Sequence, residues 1–195
     1  MKKAAATRLH ILQKAFELIY SKGYQTTSID DILATTQVTK GAFYYHFKTK
    51  DEMGIAIINE LMKPALTGSF TQILQSPDPL KAIYNLMYEL LIKNDLLKVE
   101  YGCPAANFTQ EMTPWNKDFT LALHEITAQW QQVMIAALEK GKKEGYVRKD
   151  VHPKQVTLFV MSGYWGARNF GKLENDKKAY QPYLKALKNY LNSLK

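Results

Sequence analysis

The densest run of chemistry-bearing side chains lies between residues 39 and 50. Lys40, Tyr44, Tyr45 and His46 fall within seven residues, and Lys48 and Lys50 follow at once. Long polar donors at this density suit phosphate oxygens and base edges, whereas a helix that only packed would not need them. Gly41 points the same way, because glycine inside a helix costs about 1 kcal/mol and is tolerated where another backbone comes close. Phe43 and Phe47, four residues apart, read instead as core, and either tyrosine is open to packing as well as to contact.

A second group mixes aromatic and polar side chains in a way that suits the wall of a pocket: Asn107, Phe108, Glu111, Trp115, Trp130, Tyr164, Trp165 and Arg168. For each of them a place in the core is the competing reading. Cys103 precedes Pro104 and so falls at the N-cap of a helix, where unsatisfied amides lower a thiol's pKa; it reads either as a reactive sensor or as a small buried hydrophobe. His10, His46, His124 and His152 show no metal-ligand spacing with one another or with Cys103, so no metal or cofactor is expected. There is no Gly-x-Ser-x-Gly elbow, phosphate-cradling glycine loop, Cys-x-x-Cys pair or His-Glu-x-x-His helix. An enzyme using Cys103 as nucleophile is therefore the thinner alternative, and no catalytic residue is assigned.

Helices must position these groups. Apolar spacings of three and four recur along the chain, and no alternating strand pattern bounded by hairpin turns is found, so the fold expected is all-α with about nine helices. Leu9, Leu12, Phe16 and Ile19 make one stripe, widened by Ala15 and Leu18, and Gly23 supplies the stop. Ser28 with Asp31 resembles a capping box and opens a short helix that breaks at 36–38. A second short helix follows from Thr39, and a longer one after the Thr49 cap, with Pro64 expected to kink or end it. Asp78 and Pro79 start another, and further helices are expected over 104–112, 115–144, 153–173 and 176–194. Val156, Val160, Gly163, Ala167 and Phe170, with Tyr180, Tyr183, Leu184, Leu187, Tyr190, Leu191 and Leu194, form two apolar stripes on the last two helices. They are expected to meet a second copy, the alternative being the chain's own core.

The chain has 195 residues and a net charge of +8. The first fifty hold eight cations against three anions, so the positive end is N-terminal and a polyanion is its expected partner. No uncharged stretch, 156–167 among them, reaches the roughly 20 apolar residues a membrane span needs. Arg8 and His10 interrupt the N-terminal alanines and exclude a secretory core, and a lone cysteine fits a reducing compartment, so a cytoplasmic protein with no membrane partner is expected.

Two short helices with a brief turn, flanked by amphipathic helices, make the unit that lays a helix in the major groove. Here Gly23-Tyr24 through Thr27-Ser28-Ile29-Asp30-Asp31-Ile32, then Val38-Thr39-Lys40-Gly41-Ala42-Phe43-Tyr44-Tyr45-His46-Phe47-Lys48-Thr49-Lys50-Asp51, resembles the TetR family signature over about residues 7–55. The resemblance implies a helix-turn-helix DNA-binding domain over 1–50 and a helical ligand-binding and dimerisation domain over 51–195. It further implies a transcriptional repressor, not an enzyme, that binds a pseudo-palindromic operator in double-stranded DNA as a homodimer through its last two helices, and that a small-molecule inducer releases. Thr27 and Ser28 would stand where the second helix meets phosphate, Thr39, Lys40, Gly41, Tyr44, Tyr45 and His46 on the recognition helix, and Lys50 on the flanking backbone. Gly102-Cys103-Pro104 is similar to the start of helix six in one subgroup. One departure is Thr36-Gln37 where many members have Ala-Gly, so that either Gln37 accepts the turn's angles or the turn differs.

Overall fold

In a computed structural model, which describes residues 2–195 without the side chains of Lys2 and Thr71, the described residues form nine helices and no strand. Their contacts divide into two compact units. One comprises the chain up to Leu66 with Pro104–Glu125, the other Thr67–Cys103 with Ile126–Lys195.

In the first unit α1 (Lys2–Lys22) buries Ile11, Leu12, Ala15, Ile19 and Tyr20. Leu9, expected on that stripe, is instead exposed, and Ile11 takes the inward place. Gly23 closes the helix at φ 98°, its N–H donating to Ile19 O at 2.8 Å. Helix α2 (Ile29–Thr36) carries the capping box at Ser28. The turn that follows does use Gln37, which stands in the left-handed region at φ 57° with its N–H on Leu33 O, 3.0 Å. Helix α3 (Lys40–His46) is capped by the Thr39 hydroxyl on the Ala42 N–H, 3.2 Å, and anchored by the fully buried rings of Phe43 and Phe47.

Helix α4 (50–75) does not end at Pro64. It runs as Lys50–Ala56, a π-helical turn Ile57–Met62, and Lys63–Gln75. The proline supplies the physical reason for the wide turn: it brings no N–H and its ring must avoid the Glu60 carbonyl. Bonding ahead of it has already moved to the five-residue step, from Lys63 N–H to Ile58 O. Helix α6 (Pro104–Met112) and the first turns of α7 (Lys117–Glu144) complete this unit. Phe108 and Phe119 pack on the Tyr24 ring with centroids 5.7 and 5.0 Å away.

The second unit holds the end of α4, α5 (79–93), the remainder of α7, α8 (Pro153–Glu174) and α9 (177–192). Asp78 caps α5 through the Lys81 N–H at 3.0 Å, with Pro79 in the first turn. The two stripes assigned to an interface face this unit's own core. Val156, Val160 and Ala167 are buried, as are Tyr180, Leu184, Leu187, Leu191 and Leu194, and Gly163 lies beneath the Tyr183 ring. The apolar side chains left exposed on α8 are Leu158, Phe159, Phe170 and Leu173. The reason is that α8 is apolar on two faces, and small residues let α9 lie close against one of them.

Candidate nucleic-acid interface

Phe43 and Phe47 pin one side of α3 to the core, so the other side must face out. Lys40 and Gly41 are exposed there, Tyr45 is 79% exposed and Tyr44 43%, with His46 half-buried beside Tyr45 at a ring distance of 4.9 Å. A Cβ added at Gly41 would meet nothing within 4 Å, so no described residue makes the close approach that the glycine permits. Thr39 and Lys48 flank this surface and are exposed. The face offers ammonium groups at its edges and two phenols between them, a combination suited to phosphate oxygens outside and base edges inside.

The residues ahead of α3 play other parts than expected. Thr27 is 1% exposed and donates its hydroxyl to Gly23 O at 2.7 Å, so its side chain is closed to a phosphate. Ser28 is exposed, but Asp31 occupies it. The serine hydroxyl accepts from the Asp31 N–H at 3.0 Å, while the Asp31 carboxylate accepts from the Ser28 N–H at 2.9 Å. The Ser28 hydroxyl also donates to that carboxylate at 2.7 Å, and this bond with the one from the Ser28 N–H holds the Asp31 carboxyl below its ordinary pKa.

Lys50 also turns inward. Its ammonium donates to Tyr24 O and Thr27 O, both at 3.0 Å, and lies 4.3 Å from the centre of the Tyr24 ring. Desolvation lowers its pKa, with Asp51 and Glu111 acting in the opposite sense. The lysine expected to grip flanking DNA thus fixes the approach to α2. Two further basic residues that sequence reasoning did not single out do similar work: His10 Nε2 lies 3.2 Å from Thr36 O at the end of α2, and Arg8 donates to His46 O at the end of α3, 2.9 Å. Their residue type was visible in the sequence, but a long cationic side chain reaches inward or outward equally well.

An elbow between α6 and α7 closes this unit from the other side. The Glu111 carboxylate accepts from the Gln25 N–H at 2.8 Å, and Asn116 donates to Asp51 at 2.9 Å. Asp51 in turn accepts from the Tyr24 hydroxyl at 2.5 Å, and burial together with that carboxylate pushes the phenol's pKa far up.

The residues expected to line a pocket fall in both units. In the first, Asn107, Phe108 and Glu111 border a cleft with Phe16, Ile19, Tyr20 and Pro104 of only about 10 Å³, room for a water and no more. Trp115 precedes α7, which starts at Lys117, and is 81% exposed, so it lines no enclosed cavity. In the second, Cys103 is buried, Trp165 half-buried, and Trp130 meets Tyr164 edge-on at 5.5 Å. Trp130 Nε1 is buried without a hydrogen-bond partner among the described residues. Arg168 is fully buried but reaches the backbone: its guanidinium donates to Leu97 O at 3.2 Å, Lys98 O at 2.8 Å and Gly102 O. It fastens the loop before α6. A groove of about 280 Å³ between the start of α5 and the end of α9 is lined by Lys81, Tyr84, Lys188 and Lys195 and by none of the expected residues. Among the described residues no group of histidines, cysteines and carboxylates could hold a metal ion, and no helix is long and apolar enough to cross a membrane.

Comparison with known proteins gives concordant results. Residues 11–57 match the family model described as bacterial regulatory proteins, tetR family, and residues 79–187 match a tetracyclin repressor-like C-terminal domain. An HTH-type transcriptional repressor, DhaR, of Mycobacterium sp. is 25% identical over 91% of this chain and 88% of its own. An HTH-type transcriptional regulator of Lactococcus lactis, named from the lacX 3' region, is 33% identical over 65% of each chain. A TetR transcriptional regulator from Chloroflexus aurantiacus superposes with a TM-score of 0.87 at 21% identity, covering 98% of this chain and 97% of that one.

Proposed function

This chain belongs to the TetR family of DNA-binding, ligand-responsive transcription regulators, which are not enzymes, and we propose that it is a repressor that reads its operator with α3. The observation that carries this is the exposed Lys40–Gly41–Tyr44–Tyr45 face of a helix whose opposite face is locked by Phe43 and Phe47. Thr39, His46 and Lys48 border the same face. Relatives that carry the name repressor support the sign of the regulation.

In this reading residues 1–50 engage DNA and 51–195 sense and dimerise, in the cytoplasm. Two copies pair through the exposed side of α8, where Phe159, Phe170 and Leu173 flank the small residues Ser162 and Gly166. A homodimer presents two α3 helices to a pseudo-palindrome with half-sites about one helical turn apart. A small molecule taken up in the second unit near Trp130, Tyr164, Trp165 and Cys103 releases the operator, provided it prefers the conformation that fits DNA poorly. The buried indole N–H of Trp130, without a hydrogen-bond partner among the described residues, supports that location.

Selection from a random duplex pool followed by binding titrations tests the reading. A pseudo-palindrome should emerge, with affinity falling steeply from roughly 50 to 200 mM salt, and Tyr45→Ala should blur its sequence preference. Enrichment of no sequence, or affinity indifferent to salt, refutes it.

A further inference from the structure

Arg8 is one of the eight cations in the first fifty residues and, on charge alone, belongs to the surface that DNA meets. Its guanidinium is directed elsewhere. Nη2 and Nε form a two-point pair with the Glu60 carboxylate at 2.6 and 3.1 Å, Nη1 donates to His46 O at 2.9 Å, and Cζ lies 4.3 Å from the centre of the buried Phe47 ring.

Each of these contacts bears on α3. His46 is its last residue, and its carbonyl is one that a helix end leaves without an internal partner. A cation there also meets the negative end of the helix dipole. Phe47 is the cap residue that turns the chain toward α4. Glu60 belongs to the π-helical turn Ile57–Met62, so the wide turn ahead of Pro64 supplies the carboxylate that orients the guanidinium. Only seven residues long, α3 has the Phe43 and Phe47 rings beneath it and this clamp at its C-terminal end. Its tilt decides which base edges Tyr44 and Tyr45 reach, and small errors of tilt at that distance cost specific contacts while sparing the looser phosphate contacts.

We propose that Arg8 is a positioning residue for DNA recognition: held by Glu60 in the wide turn of α4, it fixes the C-terminal end of α3 without itself touching DNA. The inference rests on α3 being the recognition helix. Its mark is a loss of sequence discrimination with no change in the number of phosphates contacted.

The test uses the full-length protein, a duplex that the wild type has selected from a random pool, and a scrambled duplex of equal length and composition. Anisotropy titrations across a salt series compare wild type, Arg8→Gln, Glu60→Gln, the double variant and Arg8→Lys, with Lys40→Gln as a phosphate-contact control. Arg8→Gln and Glu60→Gln should each weaken the selected duplex about tenfold and the scrambled one hardly at all, with the salt slope unchanged. The double variant should match the singles, and Arg8→Lys should not rescue, because an ammonium lacks the planar fork. Lys40→Gln should lower the slope by about one and weaken both duplexes alike.

Arg8→Gln behaving as Lys40→Gln does would make it a phosphate ligand and overturn the inference. So would a loss equal on both duplexes that follows the folded fraction seen by circular dichroism, or a Glu60→Gln protein that binds as the wild type does. A wild type that never prefers a selected duplex would instead overturn the reading of α3, and this inference with it.

Discussion

Replacing Gly54 by alanine sets two opposed effects against each other on one helix. An added Cβ would lie 2.6 Å from Phe119 Cζ and 2.8 Å from Tyr24 Cε2. Carbon atoms prefer roughly 3.5–4.0 Å, so both rings must retreat by about 1 Å. Neither has room: both are buried, and Tyr24 is further tied by its hydroxyl to Asp51, which Asn116 holds in turn. Overpacking of a filled core costs about 1–3 kcal/mol, and two locked rings put this site at the upper end, while the gain in helix propensity returns about 1 kcal/mol. The net expectation is a loss of about 1–2 kcal/mol, or roughly 2–8 °C in Tm for a chain of this size. A Cβ added at Gly68 in the same helix would meet no described atom within 4 Å, so Gly68→Ala should gain about 1 kcal/mol and melt roughly 2–4 °C higher. Thermal melts at equal protomer concentration compare the two directly. A Gly54→Ala protein that melts at or above the wild-type temperature would refute the claim that the ring cluster is tightly packed around this glycine.

Asp31→Asn should cost stability in a pH-dependent way. Because the folded-state pKa of Asp31 is depressed, the wild type should melt higher above the unfolded value near pH 4, and the gap should close as pH falls through the folded value, as a series of melts would read. Gly166→Arg puts a charge on the proposed pairing face at a point where the protomer leaves open space, so sedimentation should show folded monomers, and a folded dimer would move the interface elsewhere.

Local chemistry was the most legible part of this chain. The caps at Ser28, Thr39, Thr49 and Asp78, the stop at Gly23 and the anchoring pair Phe43 and Phe47 are all written in residue types that have one physical use at their positions. Where a side chain serves two uses, the pattern did not decide. Lys50 looked like a phosphate ligand and Arg168 like a pocket wall, yet both donate to backbone carbonyls distant in sequence. Helix α8 presents apolar residues on two faces, and periodicity alone does not say which of them α9 covers. Pro64 predicts either a kink or an end to the helix, and periodicity does not choose between them; a π-helical turn lets the helix continue. Trp115 opens the helix expected over 115–144, but the helix begins two residues later and the ring lies in the turn.

The Arg168 clasp also sets an order of assembly. The carbonyls of Gly102 and Leu97 precede their arginine by 66 and 71 residues. At about 5–20 residues per second, the ribosome delivers that partner roughly 3–14 s after the loop has left the peptidyl-transferase centre. Over that interval water must stand in for the guanidinium at these carbonyls, and burying them early would cost what any unpaired carbonyl costs. Closure of this high-contact-order contact therefore waits for α8, and a nascent chain stalled before it keeps the loop open to proteases and chaperones.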